Sequence, residues 1–413
     1  MNYGLIGKTL KHSFSREIHQ KLGYDYLLKE LEPDELESFF REKNFKAINV
    51  TVPYKVDVMK YLDTIDENAL SIGAVNTVLN SNGKLIGYNT DFFGMKDLIE
   101  RTGVSLKNKK VLILGTGGTS NTAEYTAKYL GASEVLKVSR TKKDGVITYD
   151  EIETAGANVI INTTPAGMFP NKGNCPIKGE LPEETELVVD VIYNPLRTRL
   201  LQKAEEKGIF YAGGLYMLVS QGTYASCLFT GNKEVLNKTE EIYKSVLGEK
   251  QNIVLIGMPG SGKSTAAKHL GNFVDTDTEI KKEYGLSPKD IILGRGEKAF
   301  REIESETVLK LSRKNGIVIS TGGGVVLNPE NIRTLKENGI VIFLDPPFER
   351  LTATKSRPLS DTKEKLLEVY KERYEIYNRN CDIKISGDYS PEEIADIIKK
   401  EVSKYEDSCN KRT

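Results

Sequence analysis

Two glycine turns carry the most legible chemistry in this chain. The stretch GMPGSGKST at 257–265 follows the apolar run NIVLI and leads into a helical pattern. Gly257, Gly262, Lys263 and Ser264 satisfy the spacing G-x-x-x-x-G-K-[ST]. At that spacing backbone N–H groups wrap phosphate oxygens, helped by the helix N-terminus. Lys263 then reaches the outer phosphates and the Ser264 hydroxyl suits Mg²⁺, with Gly260, Ser261 and Thr265 completing an ATP cradle. The other turn, GTGGTS at 115–120, follows KVLIL. Gly115, Thr116, Gly117, Gly118 and Thr119 make a looser dinucleotide signature, because Asn121 and Ala123 occupy the later region. The next strand ends in VSRTKK, with no carboxylate for a ribose 2′-OH. Arg140, with Lys142 or Lys143, suits a 2′-phosphate, and Ser139 and Thr141 flank it, so NADP(H) is the expected cofactor.

These turns need strands and helices to aim them. A chain of 413 residues is long for one domain, and roughly two to four are expected. Up to about residue 95, short strands (YGLIG, YDYLLKEL, AINVTV, NTVLN) alternate with helical segments. FGMKDLIERTG reads as a helix, KKVLILG reads as a buried parallel strand, and EVLKVS, NVIINTT and LVVDVIY read as further strands around the first glycine turn. Helical periodicity resumes from Leu215 and again from Lys233. The polar GEKQ at 248–251 is the expected linker. Beyond it, NIVLIG, NFVDTD, GIVIST, IVIFLD and CDIKIS read as strands of a second α/β unit. In EKAFREIESETVLKLSRK, Phe300, Ile303, Val308 and Leu311 form an apolar stripe.

Composition excludes several classes. Lys+Arg 58 balance Asp+Glu 58, so neither a nucleic-acid footprint nor a basic membrane patch is expected. Apolar runs fall short of the ~20 residues that cross a bilayer, and the N-terminus has no signal-peptide core. Cys175, Cys227, Cys381 and Cys409 lack zinc spacing and read as reduced thiols of a cytoplasmic protein. Three histidines leave proton transfer to Lys and Asp.

Residues 1 to about 247 resemble the shikimate dehydrogenases. The resemblance rests on KHSFS (11–15), NVTVPYK (49–55), GAVNT (73–77), GYNTDFFG (87–94), NTTPAGM (162–168), VIYNPLRT and GGLYMLVSQ. It implies a substrate domain over 1–95, a Rossmann-like NADP domain over 96–213 and C-terminal helices over 214–247. It further implies that Ser13 and Ser15 bind the substrate carboxylate, that Thr51, Asn76, Tyr193 and Gln221 contact substrate, and that Gly214 lies near the nicotinamide. Lys55 would be the catalytic lysine and Asp91 its partner. Residues 252–413 resemble the shikimate kinases, P-loop enzymes built on a parallel sheet, through DTD (275–277), FREIE (300–304), STGGG (320–324), SRPL (356–359) and YKERYEIY. Here the resemblance implies Asp275 and Ser264 at Mg²⁺, Asp277 at the reacting hydroxyl, Arg301, Gly323 and Arg373 on substrate, and Arg357 on the transferring phosphoryl group.

Together the two halves imply consecutive steps. 3-Dehydroshikimate would be reduced with NADPH, and shikimate would then be phosphorylated with ATP. Three departures stand out: Tyr216 replaces a usually small residue, only residues 141–157 separate VSR from NVIINTT, and the lid before SRPL is a few residues short. The second predicts a smaller nucleotide sheet, and the third leaves Arg350 as the candidate adenine-side arginine. A ligand-binding sensor without turnover, a quinate-specific first half, and one vestigial half are the competing readings.

Overall fold

The computed structural model describes residues 1–11, 13–142, 144–351 and 362–409. Lys143 and Arg357 therefore lie outside the described residues. The chain divides into two compact units, Met1–Leu247 and Gly248–Cys409.

The first unit holds two six-stranded sheets. One runs β2-β1-β3-β5-β6-β4, from β1 (Tyr3–Gly7), β2 (Leu27–Glu30), β3 (Ala47–Val50), β4 (Thr64–Ile65), β5 (Thr77–Ser81) and β6 (Lys84–Tyr88). The β2-β1-β3 side is parallel, β5 pairs antiparallel with both β3 and β6, and the edge strand β4 runs parallel to β6. The β5–β6 hairpin was not foreseen, although its signal is local. Asn82 and Gly83 both take positive φ (53° and 86°), which a two-residue turn matched to strand twist requires. The other sheet runs β12-β11-β10-β7-β8-β9, all parallel, from β7 (Lys110–Leu114), β8 (Glu134–Ser139), β9 (Val146–Thr148), β10 (Val159–Asn162), β11 (Leu187–Asp190) and β12 (Phe210–Gly213). β7, β10 and β11 are almost wholly buried, consistent with their unbroken apolar character. The short 141–157 segment still supplies an edge strand and a 3₁₀ turn, Tyr149–Glu151. The expected smaller sheet is thus corrected: six strands remain, and only the crossover helix is reduced.

In the second unit, β13 (Asn252–Ile256), β14 (Phe273–Asp275), β15 (Val318–Ser320), β16 (Gly339–Asp345) and β17 (Ile383–Ser386) form a parallel sheet in the order β14-β15-β13-β16-β17. The apolar stripe of helix Pro288–Leu311 is buried at Phe300, Ile303, Val308 and Leu311. Gly296 breaks that helix with φ 85° and ψ 161°.

Two helices run across expected boundaries, although the division between the units still falls between Leu247 and Gly248. Helix Thr239–Lys250 runs through most of the expected linker. Glu249 and Lys250 are good helix formers, and a single Gly248 costs only about 1 kcal/mol in a helix interior. Helix Thr90–Arg101 likewise crosses position 95 without a break.

Candidate functional site

Lys55 follows β3 on a loop tied down by a bond from Val75 N to Lys55 O (2.8 Å). Its Nζ donates to Asp91 Oδ2 at 2.6 Å, with the two side chains only 13% and 9% exposed. Asp91 sits in the first turn of helix Thr90–Arg101, whose N-cap Asn89 accepts from Phe92 N and donates to Ala74 O. That helix lies very close to helix Leu215–Thr230. A Cβ on Gly94 would stand 2.5 Å from Met217 O, so only glycine permits this approach.

The close crossing brings Gln221 to Asn76. Thr90 N donates to Asn76 Oδ1 at 2.7 Å, which fixes the amide, and Asn76 Nδ2 then points to Gln221 Oε1 (3.4 Å) and Thr90 Oγ1 (3.1 Å). Thr90 is fully buried and was missed, because a threonine before an aspartate has no distinctive sequence signal. Ser13 Oγ bonds Ser15 Oγ at 3.1 Å, and the Tyr193 hydroxyl bonds Ser13. Burial raises the Tyr193 pKa, so its phenol remains a protonated donor. The Phe14 and Tyr193 rings pack 5.1 Å apart. Thr51 lies against Gly7, where any Cβ would meet its methyl group at 2.6 Å.

On the nucleotide side, Gly115 takes φ 109°, and its N–H donates to Val138 O (2.9 Å). Gly117 caps helix Gly118–Tyr129 and has open space in front of it. That opening and the helix N-terminus fit a dinucleotide phosphate. A Cβ on Gly118 would lie 3.9 Å from Lys55 Cβ, so the cradle opens beside the lysine loop. Thr116 and Thr119 line the same turn, and Thr116 is exposed. Gly214 packs directly on the Val191 backbone and donates its N–H to Ile192 O. Arg140 is exposed, and Ser139 Oγ accepts from Thr141 N. Lys142, in contrast, is ion-paired with Glu151 at 2.5 Å. That pair, with bonds from Thr148, holds the exposed Glu151 carboxyl down at about 2. Tyr216 does not crowd the site: its ring lies on the Arg101 guanidinium, which Tyr243 and Glu240 also hold.

The second unit encloses a cavity of about 820 Å³ lined by the P-loop, Asp275, Asp277, Arg301, Glu304, Gly323 and Arg373. Lys263 Nζ donates to Gly257 O and Met258 O, both at 2.9 Å, and to Ser261 Oγ. Gly262, at φ 86°, again faces open space. Thr265 and Ser264 are exposed in the first helical turn. Ser264 Oγ donates to Asp275 Oδ2 at 2.6 Å, and Ser320 Oγ reaches both (3.0 and 2.9 Å). This all-oxygen set fits Mg²⁺, which takes few protein ligands and keeps water.

Asp277 Oδ1 and Glu304 Oε1 converge on Gly322, each about 3 Å from where a Cβ would be. Arg301 pairs with Glu304 (2.8 Å) and Glu297 (2.9 Å) and lies flat against Gly324. Arg373 donates to Gly323 O at 3.2 Å, and the Tyr377 hydroxyl bonds the same carbonyl. Burial raises the Glu304 pKa against the pull of Arg301. Glu304, Ser320 and Tyr377 were not anticipated: Glu304 stands one helical turn from Arg301, a local signal left unread, while Ser320 and Tyr377 meet partners distant in sequence. Arg350 bonds Asp388 (2.6 Å) and does not line the cavity, so the adenine-side assignment finds no support there.

Comparison with known proteins agrees with this division. A family model described as the shikimate dehydrogenase substrate binding domain matches residues 5–78, and one described as shikimate kinase matches 259–403. The chain is 37% identical to a shikimate dehydrogenase (NADP(+)) of Clostridium perfringens over 268 residues, 59% of this chain and 97% of that protein. The crystal structure of shikimate dehydrogenase 1 from Peptoclostridium difficile matches with a TM-score of 0.56 at 32% identity, over 60% of this chain and 98% of that one. The Thermus thermophilus shikimate 5-dehydrogenase in complex with NADP(H) and shikimate matches with a TM-score of 0.52 at 29% identity, over 59% and 99%. The chain belongs to the shikimate dehydrogenase family and carries a shikimate kinase domain behind it.

Proposed function

We propose that this protein performs two consecutive steps of the shikimate pathway, reducing 3-dehydroshikimate to shikimate with NADPH and then phosphorylating shikimate with ATP. The observation that carries the first step is the Lys55–Asp91 pair, 2.6 Å apart and beside the Gly118 helix N-terminus. NADPH supplies the hydride when bound. Lys55 Nζ stabilises the charge that grows on the substrate oxygen, Asp91 holds Lys55 in orientation, and the Lys55–Asp91 pair supplies the proton that completes the hydroxyl. Ser13 and Ser15 take the carboxylate, while Asn76 Nδ2 exchanges its 3.4 Å bond to Gln221 Oε1 for a ring hydroxyl.

In the second unit Arg301 and Arg373 grip the carboxylate of shikimate, and Asp277 accepts the proton of the reacting hydroxyl. Lys263 moves from the loop carbonyls to the outer phosphates. ATP supplies the phosphoryl group, and Ser264 with Asp275 would hold Mg²⁺. Among the described residues no helix is long and apolar enough to cross a membrane, in keeping with small-molecule substrates and a cytoplasmic setting. The test is an assay of the purified chain for NADPH consumption with 3-dehydroshikimate and for ATP-dependent shikimate 3-phosphate formation. Both activities are expected. Activity with quinate alone, or ligand binding without turnover, would overturn the reading.

A further inference from the structure

The buried carboxylate of Asp190 is held by neutral donors, with no cationic partner among the described residues, and has no place in the chemistry above. It closes β11, fully buried, in register with Asn162 at the end of β10 and Gly213 at the end of β12. Donors from the end of β10, from the backbone two residues on and from the cap of the following helix converge on it. Asn162 Nδ2 donates to Asp190 Oδ1 at 3.0 Å, and Asn162 Oδ1 in turn accepts from Thr164 N and Oγ1 in the loop that follows β10. Ile192 N donates to the same Oδ1 at 3.1 Å, which sets the start of the segment carrying Tyr193. Ile192 O then accepts from Gly214 N. Thr198 Oγ1 donates to Oδ2 at 2.7 Å while capping helix Arg199–Glu206.

We propose that Asp190 is a positioning residue that locks the 163–168 loop, the Tyr193 segment and the Gly214 turn into one fixed arrangement around the reacting end of the dehydrogenase site. A carboxylate suits the task because its two oxygens accept from several directions at once, and bonds to a charged acceptor are stronger than neutral ones. Burial raises its pKa to about 6, a cost that the three donors only partly offset and that packing alone would not call for. The inference rests on the dehydrogenase reading.

Alanine removes all three bonds. Asp190→Ala should raise KM for both NADPH and 3-dehydroshikimate and lower kcat/KM by about 10²-fold, as expected for displaced positioning groups. Asp190→Asn keeps an acceptor for Asn162 and Ile192 and offers an N–H to Thr198 Oγ1, so it should recover to within about fivefold of the parent. Should the alanine variant fail to fold, Thr198→Val removes the Oδ2 bond alone and is expected to raise both KM values about fivefold. An alanine or valine variant with a lower melting temperature but parental KM and kcat would overturn the proposal and leave the dehydrogenase reading intact. If the parent lacks turnover, the dehydrogenase reading fails, and NADPH affinity measured from its fluorescence still compares variant with parent. Equal affinities there, or no NADPH binding by the parent, would also overturn the proposal.

Discussion

The two sites treat their lysines differently. In the first unit Lys55 already holds a carboxylate, Asp91, at 2.6 Å. In the second, Lys263 leans on loop carbonyls, and Arg301 sits between Glu297 and Glu304. The difference follows the charge of what each site must meet. A ketone oxygen is neutral until the transition state, so an oriented cation can wait beside it without losing its partner. Phosphate and carboxylate arrive charged, so Lys263 must turn from the loop carbonyls and Arg301 must give up a glutamate bond to meet them. One site is arranged before its substrate arrives, and the other is arranged to exchange partners.

That contrast breaks most visibly at Asp91. Asp91→Asn should reduce dehydrogenase kcat/KM by about 10³-fold, because the lysine loses both orientation and a charge partner. A loss smaller than tenfold, by steady-state NADPH assay, would mean that Lys55 does not depend on its partner. Next in size, Arg373→Lys should raise the kinase KM for shikimate about 10²-fold with kcat less affected, the pattern of lost ground-state binding. Arg373 is buried against Gly323 O, and lysine cannot copy its planar fork.

A third expectation concerns pH. The folded pKa of Asp190, about 6, lies above its ordinary 3.8, so the folded state binds the extra proton. Its contribution to stability is therefore full below about pH 4 and is lost as pH rises through 6. Relative to the parent, Asp190→Asn should gain about 2 kcal/mol in the dehydrogenase unit between pH 4.5 and pH 7, read from urea transitions. A pH-independent difference would show that the carboxyl is not buried as described. The smallest effect is expected at Lys142, exposed and paired with Glu151. Lys142→Ala should raise KM for NADPH by only about twofold to fivefold, an exposed ion's worth, measured at low and high salt.

Much of the fold could be read from local pattern. β7, β10, β11, β13 and β16 are buried runs that announce themselves, and the P-loop lies between strand and helix as its spacing demands. What escaped was of two kinds. Some was local but unread, such as the Asn82–Gly83 hairpin turn and the helix through Gly248. The rest depends on side chains that meet only after folding. Glu151 captures Lys142, Arg101 receives the Tyr216 ring, and Glu304 Oε1 converges with Asp277 on Gly322. Motifs therefore located the candidate residues but not the partners that fix their orientation.

The central claim is that one chain carries two chemically separate reactions on related ring acids. Lys55→Ala and Lys263→Ala, each assayed for both activities in the full-length protein, test it most directly. The account predicts that the first abolishes NADPH-dependent reduction and spares phosphorylation, and that the second does the reverse. Loss of both activities from either single substitution would contradict it.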